Sequence, residues 1–247
     1  MKSRLKVSLA RTALVATFAL SGAAALAERT DADPTIKSWG AEFPEHVEMY
    51  MMTKETGQPT EFGGNTPYSK LIRYTAKTEL WAGYAFAVDF NEERGHYYTQ
   101  IDQMRTKRND KEYLNAHGLP GFKGQPGACM NCHSGWVPEL VREMGWEEFN
   151  RTPYWETIKK IESKHGMGIH GAEMGSTCAD CHDPEDMSLR VTRPAYINAM
   201  VARGYEADDR HGLKATPKEM GDHVCQQGHV EYYFKAPNAV LTATWDM

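Results

Sequence analysis

The pattern of hydrophobic and polar residues predicts a chain built of short helices. Apolar and aromatic residues recur at roughly helical spacing from Lys70 to Arg108. Beyond a loop rich in glycine and proline, no segment of any length alternates as a strand does. Proline or a capping residue marks four predicted helix starts, at Pro138, Thr152-Pro153, Arg193-Pro194 and Thr216-Pro217. Glycine marks two predicted helix ends, Gly166 for the second of these helices and Gly204 for the third. The sequence therefore predicts a mostly α fold with extensive irregular chain and no clean linker between domains.

The first 27 residues have the pattern of an export signal. A basic stretch precedes the apolar run from Thr12 to Ala24, and Ala25-Leu26-Ala27 is a small-x-small cleavage sequence. The alternative is a membrane anchor, but the run is shorter than the ~20 apolar residues of a membrane-spanning helix. We expect cleavage near Ala27-Glu28, export to the periplasm, and a mature domain over residues 28–247.

Composition makes a large aliphatic core improbable and argues against two kinds of partner. The mean hydropathy is −0.60, and the chain carries 12 Tyr, 6 Trp and 13 Met. A chain with little aliphatic surface must find apolar material elsewhere, and a large cofactor supplies it. The net charge of −5 is mild and favours neither nucleic acid nor an anionic membrane as a partner.

Two C-x-x-C-H sequences carry the candidate chemistry. They are Cys129-Met130-Asn131-Cys132-His133 and Cys178-Ala179-Asp180-Cys181-His182. This is the attachment pattern of c-type haem. The two thiols can each form a thioether to a haem vinyl group, and the adjacent histidine then ligates the iron.

Other uses of the cysteines remain as alternatives. Two C-x-x-C pairs can build a zinc site, but their separation exceeds the ~15–20 residues usual for such sites. A thioredoxin-like dithiol is expected near a βαβ pattern, which is not visible. Disulfides are a third reading, although the odd count of five cysteines argues against it.

A third sequence has the same frame but lacks one thiol. In Cys225-Gln226-Gln227-Gly228-His229, glycine occupies the place of the second cysteine. Cys225 attaches a haem alone with His229 as ligand, or Cys225 is a free thiol, or the glycine reflects a sequencing error or a decayed gene. The sequence leaves all of these open.

Haem electron carriers usually need a second axial ligand, commonly histidine. The histidines outside the motifs are His46, His96, His117, His165, His170, His211 and His223. We expect the distal ligands among His96, in Arg94-Gly95-His96, and His165 or His170, just before the second motif.

Several blocks of the chain resemble the ammonia-forming cytochrome c nitrite reductases, the cytochrome c-552 family. They keep the family's order over nearly all of the chain after about Pro67, and the chain resembles a member that is truncated at its C-terminus. The blocks are residues 80–84, 94–98 with the basic run to Arg108, 153–156, the second motif with Asp183-Pro184, 189–195, 224–235 apart from Gly228, and 236–246.

The resemblance implies roles for particular residues. Cys129, Cys132 and His133 match the catalytic haem site, where many members have lysine in place of this histidine. Arg108 and Tyr232 match the active-site arginine and tyrosine, which bind nitrite and relay protons. Glu231, by its carboxylate, and Tyr232, by its carbonyl, match ligands of a structural calcium.

The resemblance also implies a fold, a reaction and partners. The fold is short helices and irregular chain packed around several haems, and the reaction is six-electron reduction of nitrite to ammonium. The donor is a multihaem quinol-oxidising membrane cytochrome or a soluble cytochrome. The family's fourth and fifth haem sites, distal active-site histidine, remaining calcium ligands and dimerisation helices have no match in this chain, so homodimerisation is doubtful. The alternatives are a non-catalytic electron-transfer cytochrome or inactive fragment, and a reductase of hydroxylamine or another nitrogen oxyanion.

Overall fold

The computed structural model describes residues 34–55, 57, 75–76, 94–106, 109–116, 118, 125–166, 175–235 and 240–243. The export signal, Arg108, His117 and His170 therefore lie outside the described residues. No helix in the described ranges is long and apolar enough to cross a membrane.

Short helices dominate the described chain, which confirms the predicted mostly α class. They are α1 (Ile36–Gly40), α2 (Pro44–Met52), α3 (Thr99–Met104), α4 (Lys111–Ala116), α5 (Val137–Met144), α6 (Trp146–Arg151), α7 (Tyr154–His165), α8 (Cys178–Cys181), α9 (Pro194–Ala202) and α10 (Pro217–Gln226). Two 3₁₀ turns, His96–Tyr98 and Gly127–Cys132, precede α3 and α5.

The four predicted helix starts are confirmed, and each follows from its local chemistry. Proline is the first or second residue of α5, α9 and α10, where a missing N–H costs nothing, and the first residue before α7. Gly166 ends α7 in the left-handed conformation, with φ +64°. At α10 the Thr216 hydroxyl accepts from the Glu219 N–H while the Glu219 carboxylate accepts from the Thr216 N–H, the expected capping box.

Two small antiparallel pairs of strands were not predicted. Strands β1 (Glu206–Asp208) and β2 (Gly212–Lys214) form one pair, and β3 (Tyr232–Lys235) and β4 (Val240–Ala243) form the other. Strands of three or four residues are too short for an alternation of apolar and polar residues to be recognised in the sequence. Strand β4 is buried beside α9 and α6, where the Leu241 N–H donates to Asn150 Oδ1 at 2.9 Å.

The two larger of three apolar clusters among the described residues support the fold. The first lies around the first cysteine motif, between α5, α6 and α7. The second lies between α9, β2 and α10. The members of the first are Met104, Met130, Trp136, Val137, Leu140, Phe149, Tyr154, Ile158 and Ile161; those of the second are Val191, Tyr196, Ala199, Met200, Leu213, Met220 and Ala243. Each cluster thus holds the elements beside a cysteine motif.

Candidate haem-binding cavity

The three cysteine motifs end at one cavity of about 380 Å³. Its wall contains the last three residues of the first motif, both cysteines and the histidine of the second, and Cys225, Gly228 and His229 of the third. Among the residues proposed from the sequence as further ligands, His96 also lines it. The folded chain therefore gathers side chains that are 133 residues apart along the sequence.

All five cysteines are free thiols, so the disulfide reading is wrong. The described residues also contain no cluster of three or more His, Cys, Asp or Glu side chains placed to hold a metal ion. Cys129 packs against the first apolar cluster rather than lining the cavity.

The second motif orients its histidine for metal ligation. Helix α8 begins with a capping box between Thr177 and Asp180, and the His182 N–H donates to the Cys178 carbonyl at 2.9 Å. His182 Nδ1 lies 2.8 Å from the Met187 carbonyl. Because a carbonyl only accepts hydrogen bonds, Nδ1 carries the proton and Nε2 keeps its lone pair for a metal.

His96 and His229 face each other across a gap. Their ring centroids are 6.2 Å apart, beyond the ~3.5–4.0 Å at which carbon atoms of stacked rings make contact. Two metal–nitrogen bonds of about 2 Å, with about 1.1 Å from each nitrogen to its ring centre, would span about 6 Å if one nitrogen of each ring pointed at the metal. Loss of solvent around the ring, and then the charge of His229, lower the pKa of His96, which favours the neutral imidazole that ligates metals.

Burial also perturbs the thiols of the second motif. It raises the pKa of Cys178, and it raises the pKa of Cys181 to about 12, with the Asp180 carboxylate adding to the effect. Both groups are therefore neutral thiols near pH 7. The cavity thus offers thiols, imidazoles and a concave wall, a donor set that fits c-type haem.

A buried arginine connects the first and second motifs. The Arg193 guanidinium donates to the carbonyls of Asn131 and Ser134 and to the Asp180 carboxylate. The side chains of Arg193 and Asp180 are 3% and 8% exposed, so this is an ion pair removed from water. Sequence reasoning did not identify this role, although the block 189–195 contains the residue.

A glutamine connects the second and third motifs. Gln227 Nε2 donates to the Asp180 carbonyl at 2.8 Å, and its Oε1 accepts from the Thr192 N–H at 2.9 Å. Since Gln227 lies between Cys225 and Gly228, the interior of the third motif is hydrogen-bonded to the second.

Helix α2 contributes a part of the wall that the sequence did not indicate. His46, Met49 and Tyr50, on one face of the helix, line the cavity. Spacing by three and four residues places these side chains on one helix face. The sequence did not show that this face lines the cavity, and the fold does.

Other proposed site residues lie away from the cavity or outside the described chain. His165 Nε2 is 2.8 Å from Glu139 Oε1, and the His165 ring packs 4.3 Å from that of Trp136, away from the cavity wall. Glu231 and Tyr232 follow His229, but neither is among the described residues that line the cavity. Tyr232 is 40% exposed on β3 and packs edge-on against Phe234.

Comparison with known proteins places the chain in a family. The cytochrome c552 family profile matches residues 35–247. A cytochrome c-552 of Porphyromonas gingivalis is 35% identical over 83% of this chain and 37% of its own length. The cytochrome c nitrite reductase subunit NrfA of Nitratidesulfovibrio vulgaris is 32% identical over 79% of this chain and 36% of its own.

A solved structure gives the same result. The cytochrome c nitrite reductase of Desulfovibrio desulfuricans, whose catalytic subunit NrfA is described with two calcium sites, superposes with a TM-score of 0.67. It shares 26% identity and covers 88% of this chain and 45% of its own. The fold is that of a c-type cytochrome, and the chain belongs to the cytochrome c552 family. It spans little more than a third of the length of the curated relatives it matches.

Proposed function

We propose that this chain carries the first haem sites of an ammonia-forming cytochrome c nitrite reductase. The observation that supports this most is the single cavity at which all three cysteine motifs and His96 meet. Haems held there would lie close enough to exchange electrons, as a multi-electron reduction requires. His96 and His229 are the proposed axial ligands of one iron, because of the span between their rings.

The first motif is the proposed catalytic site, with Cys129 and Cys132 as attachment points and His133 as the iron ligand. When bound, haem would supply electrons and an open iron position for nitrite. Arg108 would bind the anion with its fixed guanidinium, and Tyr232 would hold or relay a proton. Glu231 and the Tyr232 carbonyl would give oxygen ligands to calcium, an element also present in the D. desulfuricans relative.

The proposed reaction sets the partners and compartment. Nitrite is the substrate, and a quinol-oxidising membrane cytochrome or a soluble cytochrome is the proposed donor. The proposed location is the periplasm, where the N-terminal export pattern would deliver the chain.

Nitrite-dependent oxidation of a reduced viologen dye by the exported, haem-loaded chain tests the proposal. Arg108→Ala should reduce turnover by about 10²–10³-fold if the guanidinium stabilises bound anion. Arg105→Ala, an exposed neighbour in the same basic run, is the matched control and should change turnover less than about twofold.

Spectroscopy and a second substrate separate the rival functions. A high-spin haem whose spectrum shifts when nitrite is added supports catalysis. Haems that are all low-spin and insensitive to nitrite would instead support a non-catalytic electron carrier. Faster turnover on hydroxylamine than on nitrite would assign the chain to the other class of reductase.

A further inference from the structure

The third motif keeps the turn of a complete haem-attachment motif although one cysteine is missing. Its Cys225 carbonyl accepts from the His229 N–H at 3.0 Å, and in the complete second motif the Cys178 carbonyl accepts from the His182 N–H at 2.9 Å. The capped helix α10 holds Cys225 on its last turn. Cysteine and histidine therefore have the same backbone relation in both motifs.

Gly228 is not required by the backbone or by packing. A Cβ added there would meet no atom within 4 Å, and its φ lies outside the left-handed region. At Gly212, in contrast, an added Cβ would lie 2.1 Å from the Val191 carbonyl oxygen and φ is +79°. The place of the missing thiol is therefore open space on the cavity wall.

The remaining groups of the third motif are placed for a haem. Cys225 is exposed and lines the cavity. The ring centroid of His229 lies 6.2 Å from that of His96, a distance that leaves room for a metal between the two rings. The gap, the open wall at Gly228 and the accessible thiol are three independent features of one place.

We propose that Cys225 holds a haem through a single thioether, with the second vinyl group of that haem left unreacted beside Gly228. This inference rests on the proposed function, since it assumes that the chain receives haem. It departs from the two-thioether attachment of the complete motifs.

The reaction that attaches the haem needs no added oxidant. The Cys225 S–H adds across one vinyl group of protohaem, so that the S–H bond and the C=C π bond break. A sulfur–carbon bond forms at the inner vinyl carbon, and the hydrogen ends on the outer carbon. The addition is redox-neutral overall, and the other vinyl group stays conjugated with the porphyrin.

A tryptic digest of the exported, haem-loaded chain tests the proposal directly. Cleavage at lysine releases residues 219–235, which contain Cys225 as their only cysteine. We expect this peptide to carry the mass of one haem. Its reduced pyridine complex should absorb at a longer wavelength than those of the peptides from the two complete motifs, because one vinyl group remains conjugated.

Two variants make the result decisive. Gly228→Cys should carry one haem on the peptide, with the absorption moved to the shorter wavelength of the complete motifs. Cys225→Ser should carry none, while the first two motifs stay loaded. An unmodified wild-type peptide beside two loaded motifs would overturn the proposal, whereas absence of haem from all three would refute the proposed function as well.

The axial ligands are tested by spin state. His96→Ala should convert one low-spin haem to a high-spin species, as seen by electron paramagnetic resonance, while His211→Ala should not, because His211 does not line the cavity. An unchanged spectrum in His96→Ala would refute the ligand pair.

Discussion

The ion pair of Arg193 with Asp180 leads to a quantitative prediction. Replacing Arg193 with methionine keeps much of the aliphatic volume but leaves the Asp180 carboxylate buried without its countercharge. It also removes the donor to the carbonyls of Asn131 and Ser134. Removing one partner of a buried pair typically costs about 3–5 kcal/mol.

That loss is large against the stability of a typical domain, which is about 5–15 kcal/mol. For a chain of this size, each kcal/mol lowers the melting temperature by about 2–4 °C. Arg193→Met should therefore melt about 6–20 °C below the parent protein. Arg151→Met is the matched control, because Arg151 is exposed and makes only a 3.7 Å helix-surface pair with Glu147, worth about 0.3–0.5 kcal/mol.

Thermal unfolding of the haem-loaded chain, followed by circular dichroism, measures the difference. The double variant Asp180→Asn with Arg193→Met should be more stable than Arg193→Met alone, since it no longer buries an unpaired charge. If Arg193→Met melts with Arg151→Met, or if the second change gives no recovery, the buried charge is not what makes Arg193 important.

Three further predictions follow from local structure. Gly228→Ala should change the unfolding free energy by less than about 0.5 kcal/mol. Gly212→Ala should lower it by about 1–3 kcal/mol, because the new Cβ meets the Val191 carbonyl and φ is +79°. Urea titration measures the unfolding free energy of both variants. Thr216→Ala should cost about 1 kcal/mol by the same assay through loss of the helix cap, and Thr216→Ser should restore most of it. Burial raises the pKa of Tyr196 to about 12. The unfolded chain therefore loses this proton at a lower pH than the folded chain, and the free energy of unfolding should fall as pH rises from about 10 to 12. Melting scans should show a shallower fall in Tyr196→Phe, and an equal fall would contradict the assignment.

Local rules predicted the helices well because their signals are contained within a few residues. The capping box at Thr216 and the glycine stop at Gly166 need no partner from elsewhere in the chain. The attachment motifs are equally local, since cysteine and histidine are set by one helical turn. Their convergence on one cavity depends on packing between distant segments, and the sequence offered no measure of it.

His165 shows the limit of arguing from position along the chain. It precedes the second motif and was therefore expected among the distal ligands, which remains a prediction. In the fold its imidazole lies against Glu139 on α5. Helices α5 and α7 both contribute to the first apolar cluster, with Leu140 from α5 and Ile158 from α7. That shared cluster holds the helices of Glu139 and His165 near each other. His96 was chosen by the same kind of argument, and it does line the cavity.

The hydrogen bonds that run from the first motif through Arg193 and Asp180 to Gln227 have a kinetic consequence. The probability that an electron tunnels between two centres falls exponentially with the distance between them. Movement of one motif relative to another would change the distance between haems attached to them. The polar side chains between the motifs hold the motifs at fixed spacings. They would therefore limit how much the rate of electron transfer between bound haems varies.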